Sequence, residues 1–246
     1  MPLTEVLKNT AAKLGFHVVR NYQNPNHTLM GLKQFDIRTV IDVGANSGQF
    51  ARFIRGHLPS AAIHSFEPTP QAYEALLAWA RQDGNVFPVQ MALGEASGTI
   101  DINLHSDHST SSSLLQTSEH CESLYPFTAR QERISVPLGR LDDYVGALVL
   151  PLSAGILLKL DVQGFEAQVL RGAPLLLRRV DVCIAEVSLD VLYIGQSRFS
   201  DIFNIVGGAG LEYAGNLTQM YGDDGHVISF DAVFLRAQKL AQQSIA

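Results

Sequence analysis

Residues 39–50, TVIDVGANSGQF, decide how the rest of the chain is read. Val40, Ile41 and Val43 enclose a single acid, Asp42, and the run then breaks into a turn in which Gly44 and Gly48 bracket Ala45, Asn46 and Ser47. A short apolar run that meets glycine and is followed by helix-forming residues reads as a buried strand, a tight turn and a helix start. Glycine at 44 and 48 leaves room for a ligand against the backbone, and Asn46 tolerates a left-handed conformation. Asn46 or Ser47 is the expected side-chain cap of the helix that begins near Gly48, whose free N–H groups would face a carboxylate.

The spacing separates two kinds of ligand. A dinucleotide fingerprint has glycine at its first, third and sixth positions, so that the backbone can approach a pyrophosphate. Counted from Gly44, the third position is Asn46 and the sixth is Gln49, so a diphosphate would be crowded. S-adenosylmethionine carries no phosphate. Asp42 at the strand's carboxyl end suits the ammonium of its amino-acid tail. Glu67, at the end of a second strand over 62–66 and followed by Pro68, suits the two ribose hydroxyls. A third strand over 86–91 places Met91 and Ala92 where the adenine would lie, by the rule that ligands occupy the tips of parallel strands. The plain alternative makes Asp42 a turn residue and Glu67 a surface acid. A nicotinamide-dependent oxidoreductase and a non-catalytic cofactor-binding module are the competing functions.

Composition narrows the class. The 246 residues are 46% hydrophobic and 17% charged, enough for a sizeable core and against disorder. A net charge of −6 without a long basic run argues against nucleic acid as a partner. The longest uncharged run, 145–158, holds Pro151 and Gly155 and is shorter than the roughly 20 residues a spanning helix needs, so no membrane role is expected. Two cysteines, Cys121 and Cys183, lack metal spacing, and Cys183, in an apolar strand, reads as a core thiol in a reducing, cytoplasmic setting.

Along the chain, residues 1–36 read as a helix over 3–15 and a loop that covers one edge of the cofactor site, ahead of a single domain over 37–246. Helices are expected over 48–57 and 71–82. Trp79 on the second reads as core rather than an adenine-stacking ring. Alternating residues at 99–105 and 132–138 predict two extra strands, with a Ser-, Thr- and His-rich cover over 106–130, so that an insertion occupies about 95–140. Strands at 156–160 and 181–187, helices at 165–171, 174–179 and 199–206, and a closing antiparallel pair at 212–221 and 227–236 complete an α/β doubly wound sheet.

A second constellation is Lys159, Asp161, Gln163, Gly164 and Glu166. Asp161 shares a sheet edge with Asp42, Glu67 and Glu186, and four carboxylates at one rim call for cations, paired bases or a metal. Methyl transfer to a hydroxyl needs a base within hydrogen-bond reach. Asp161 is the first candidate, as base or as orienting group, against a turn or cap role. Glu166 reads equally as a site acid or a first-turn helix acid. Glu186 either binds acceptor hydroxyls or pairs with Lys159 across neighbouring strands. His105 and His108 on the cover read as solvated, with a base role as the alternative. Tyr193, Tyr221 and Asp231 are candidates to grip polyol hydroxyls or to pack. A divalent ion between Asp161 and Glu186 is a further reading, although no metal ligand set is assigned.

Taken together, IDVGANSGQF, FEP at 66–68, ALG at 92–94, SSSL at 111–114, LDDY at 141–144, KLDVQGFE at 159–166, AEV at 185–187 and FDAVFLR at 230–236 resemble the FkbM family of methyltransferases over about residues 37–236. The resemblance implies a Rossmann-like methyltransferase sheet and S-adenosylmethionine-dependent O-methylation, often of sugar hydroxyls or secondary metabolites. It implies a cofactor role for Asp42, Gly44, Asn46, Gly48 and Glu67 and an active-site position for Asp161, Gly164 and Glu166. Gln163 stands where many relatives have an acid, which weakens a metal-dependent mechanism. The expected partner is a small-molecule or glycoside acceptor, and a homodimer is compatible.

Overall fold

The computed structural model describes residues 11, 13, 32, 35–105, 111–148, 152–153 and 155–237. The helix expected over 3–15 and the loop after it lie, for the most part, outside the described residues. Leu32 and Phe35, at the end of that segment, are buried in the core.

The elements follow in the order β1 (Thr39–Val43), α1 (Gln49–His57), β2 (Ala62–Phe66), α2 (Pro70–Asp83), β3 (Val86–Val89), β4 (Ala92–Leu93) and β5 (Gly98–Leu104). After them come α3 (Glu119–Leu124), β6 (Glu132–Gly139), α4 (Leu141–Ala147), β7 (Ile156–Leu160), α5 (Glu166–Arg171) and α6 (Pro174–Leu177). The chain closes with β8 (Val180–Ser188), α7 (Phe199–Gly208), β9 (Leu211–Tyr221) and β10 (Val227–Arg236). Seven strands form one sheet in the order β3-β2-β1-β7-β8-β10-β9. Its first five strands run parallel, and β10 and β9 run antiparallel as a closing hairpin.

Central strands read as unbroken apolar runs because both faces are covered. Ile41 and Val43 of β1 and Leu158 and Leu160 of β7 face the helices α4 to α7. Val40 and Leu157 face the other way, against α1 and α2, with Ala51, Ile54 and Ala80. The order reverses between β1 and β7, so a crevice opens at the carboxyl ends of these strands, where ligands of doubly wound sheets lie. Phe66 is fully buried beneath that crevice and meets Tyr144 edge-on at 4.8 Å between ring centroids.

Two expectations are corrected. The strand over 86–91 ends at Val89, after its carbonyl accepts the Glu67 N–H, and Ala92–Leu93 pairs instead with β6. The insertion therefore forms its own three-stranded sheet, β4-β6-β5, packed around Ala92, Ile102 and Val136. Nor does a side chain cap α1: Gly48 occupies the cap position with φ +88°, and Asn46 instead bonds within the turn. No helix among the described residues is long and apolar enough to cross a membrane.

Candidate active site

The turn after β1 is folded by its own backbone. The N–H groups of Gly44 and Ala45 both donate to the Phe66 carbonyl, at 3.0 and 2.9 Å, which locks the tip of β1 to the tip of β2. Asn46 adopts φ +47°, and its side-chain oxygen accepts the Ser47 N–H at 2.7 Å and the Gln49 amide at 3.3 Å. Those contacts fill the place a phosphate would take. Gly44, with φ +79°, is dictated by chain packing as well as by ligand access, because a Cβ there would lie 1.8 Å from the Asp161 carbonyl oxygen. Gly48 faces away from the crevice, toward Leu76 and Trp79. Trp79 packs against the core on the α1 and α2 face, with the Arg52 guanidinium over its ring at 4.7 Å.

Asp42, Gly44, Ala45, Asn46, Glu67 and Pro68 line one half of the cavity, and Met91 and Ala92 continue the wall. Asp42 is 1% exposed, and its Oδ2 has no hydrogen-bond partner among the described residues. Burial pushes its carboxyl up to about 7; Lys159 opposes the shift, while Asp161 and Glu67 add to it. Asp42 lines the cavity, and a buried carboxyl with an unpartnered oxygen calls for a donor such as an ammonium group. Glu67 is held by the N–H groups of Asn46 and Thr69, each at 2.8 Å, and by the Thr69 hydroxyl. Burial raises its carboxyl despite those three donors. Three donors leave lone-pair capacity on a carboxylate that faces the cavity, as two vicinal hydroxyls require.

The other half is assembled from distant segments. Lys159 is buried, and its Nζ donates to Asp231 at 3.0 Å, to Asp161 at 3.4 Å and to the Leu160 carbonyl at 3.2 Å. Burial opposes its charge, but Asp161, Asp231 and Glu186 together raise its affinity for a proton. Asp161 is 40% exposed at the side chain and lines the cavity. Burial alone would raise its carboxyl, yet Lys159, followed by hydrogen bonds from Glu186 and Gln163, holds it below the ordinary range. Glu186 moves the opposite way, well above its ordinary range, through burial and then the Asp161 charge. The two carboxyls of this pair are thus driven in opposite directions.

Several sequence expectations change here. Part of the acid excess at the rim is answered within the chain, because the buried Lys159 ammonium pairs with Asp161 and Asp231. Glu186 does not bond Lys159 directly; it takes the Gln163 amide at 2.7 Å and lies off the cavity wall. Glu166 is 2% exposed and turns inward, where it accepts the N–H groups of Val162 and Gly164 at 3.1 Å. It braces the loop and is pushed up to about 7 by burial. His105 is 1% exposed rather than solvated and lies off the cavity wall, with its N–H bonded to Ser112. His108 lies outside the described residues. Tyr193 is buried, Tyr221 is an exposed residue of β9, and neither reaches the cavity.

Sequence reasoning passed over Phe50, whose ring lies 5.9 Å from Lys159 Nζ, and Ile102, Ser112 and Leu114, which wall the cavity from the insertion. The motif SSSL was the available signal. Ser113 of that motif donates to the Gln163 carbonyl at 2.7 Å and so ties the insertion to the β7 tip. Among the described residues no cluster of three or more His, Cys, Asp and Glu has a metal-holding arrangement.

Residues 42–216 match the family described as the Methyltransferase FkbM domain. Two curated relatives are similar to this chain. Methyltransferase sdnD of Sordaria araneosa is 29% identical over 155 residues, which cover 54% of this chain and 59% of that protein. The 2-O-methyltransferase NoeI of Sinorhizobium fredii is 28% identical over 179 residues, covering 68% of this chain and 70% of that one. The chain thus spans under two thirds of the length of sdnD. Among solved structures, magnesium protoporphyrin IX methyltransferase of Synechocystis PCC 6803 with bound SAM superposes with a TM-score of 0.45 at 11% identity, covering 87% of this chain and 78% of that one.

Proposed function

Because the chain belongs to the FkbM methyltransferase family, we propose that it transfers the methyl group of S-adenosylmethionine to a hydroxyl group of a small molecule, of the sugar or glycoside class. The observation that carries the reading is the cavity's two-sided wall, lined by Asp42 and Glu67 on one side and by the more open carboxyl of Asp161 on the other. When bound, S-adenosylmethionine supplies an electrophilic methyl on a sulfonium, and transfer forms an O–C bond as the S–C bond breaks. Asp42 holds the ammonium of its tail and Glu67 the ribose hydroxyls. Asp161 accepts the proton of the attacking hydroxyl, while the Lys159 ammonium steadies negative charge at that spot. Phe50, Phe66 and Leu93 exclude water around the reacting atoms. The choice of a hydroxyl as acceptor is supported by NoeI, which is named a 2-O-methyltransferase, and by the Asp161 carboxyl in the wall, which suits hydroxyl donors.

A screen of labelled methyl transfer over glycosides and other hydroxylated acceptors tests the reading, with parallel calorimetry of S-adenosylmethionine and NAD. Binding of S-adenosylmethionine together with label on oxygen is expected. Binding of NAD in its place would overturn it, because the turn would then have to seat a diphosphate.

A further inference from the structure

Gln163 is held on four sides. Its Nε2 donates to Asp161 Oδ1 at 2.8 Å and to Glu186 Oε2 at 2.7 Å, its Oε1 accepts the Tyr193 hydroxyl at 2.8 Å, and its carbonyl accepts Ser113 Oγ. The Tyr193 oxygen also lies 3.1 Å from the Ser111 carbonyl oxygen, which competes for its single hydrogen. The backbone at Gln163 is left-handed, with φ +54°, which a non-glycine residue keeps only where its surroundings insist on it. As placed, this amide gives its hydrogens to the two carboxyl groups and faces the phenol with its oxygen. Reversed, its oxygen would face two carboxyl groups while its two hydrogens met a hydroxyl.

A neutral amide thus occupies the position between two acids where a bridging cation would otherwise sit. With two hydrogens it gives one to each, and it cannot itself be deprotonated. From this arrangement we propose that Gln163, oriented by Tyr193, is a positioning residue that keeps Asp161 ionised and aimed into the cavity while Glu186 retains the proton. The inference rests on the reading of Asp161 as the base. The opposite shifts of the pair agree with it: Asp161 is held below the ordinary range, against its burial, by Lys159 and by hydrogen bonds from Glu186 and Gln163, and Glu186 is raised above it by burial and the Asp161 charge. Lys159 reaches Asp161 from the other side, so the ionised carboxylate is held between an ammonium and an amide. A carboxylate at position 163 would set three acids together and call a cation into the gap.

Titration of the Asp161 and Glu186 carboxyl carbons by NMR tests this without an acceptor, with Asp161→Asn serving to assign the signals. In Gln163→Leu, which keeps bulk but donates nothing, Asp161 is expected to titrate at least one pH unit higher, a tenfold change in its proton affinity. Tyr193→Phe should move it the same way by less, and Gln163→Glu should raise it further and create millimolar or tighter Mn2+ binding absent from the unaltered protein. Where methyl transfer is measurable, the acid limb of kcat should follow the Asp161 titration while KM for S-adenosylmethionine stays within twofold. Unmoved titration in both Gln163→Leu and Tyr193→Phe, with folding intact by circular dichroism, overturns the inference. Shifted titration in a protein that methylates nothing would leave the inference standing and remove the proposed function.

Discussion

The two sides of the cavity are built by different means. Around Asp42 and Glu67 the hydrogen bonds come mostly from backbone N–H groups of the turns at the tips of β1 and β2: Asn46, 21 residues away, and Thr69, two away, to Glu67, and Gly44 and Ala45 to Phe66. Around Asp161 they come from side chains, Lys159 and Gln163, each two residues away, which are tied in turn to Asp231, 72 residues from Lys159, and to Glu186 and Tyr193, 23 and 30 residues from Gln163. A ligand common to a whole family can be met by rigid, local backbone. A variable acceptor calls for side chains that can be exchanged singly.

The contrast can be broken at its hinge first. Gly44→Ala forces a Cβ onto the Asp161 carbonyl at a position with positive φ, so a loss of about 3 kcal/mol or more of unfolding free energy is expected in urea. Both halves should fail together, with neither cofactor binding nor turnover. Asp161→Asn should separate them: turnover falls about a hundredfold or more while the cofactor dissociation constant is kept. Equal turnover in that variant would remove the base from the β7 tip.

Glu67→Ala is the converse experiment. The loss of charged hydrogen bonds, about 1.5 to 3 kcal/mol each, should weaken S-adenosylmethionine binding in calorimetry. An unchanged dissociation constant would show that Glu67 serves only the turn. The smallest effect is a pH dependence. Asp42 has its carboxyl raised to about 7, so below that pH it must release a proton before it can hold an ammonium. Cofactor affinity should therefore rise about tenfold per unit from pH 5 to 7 and level off above it. Asp42→Asn should flatten the slope. The same shift works against the ligand-free fold: the proton bound by Asp42 stabilises it below about pH 4, and that contribution is lost as pH rises through 7.

The same division explains what could be read from the residues in order. β1, β2 and β7 were legible because buried strands leave unbroken apolar runs, and the turn at 44–48 because its conformation is written in glycine and asparagine. The tip of β3 was not, because the departure of Ala92–Leu93 depends on a partner strand some 46 residues away, Ala92 meeting Leu138. Glu166 looked like an active-site acid, since a helix start and a loop brace have the same spacing; only the Val162 and Gly164 N–H groups distinguish them. His105 was read as solvated from its polar neighbours, but the strand it ends, β5, turns it inward. Gln163 was visible as a departure from an acid, while its Tyr193 and Glu186 contacts required the folded chain.

Gly44 touching the Asp161 carbonyl makes a gauge of the two strand tips. The span between Asp42 and Asp161, the ammonium seat and proton acceptor of the proposed function, is set by main chain, as between the jaws of a fixed caliper. Residues of the insertion can therefore be altered to admit another acceptor without recalibrating the reach of the methyl group.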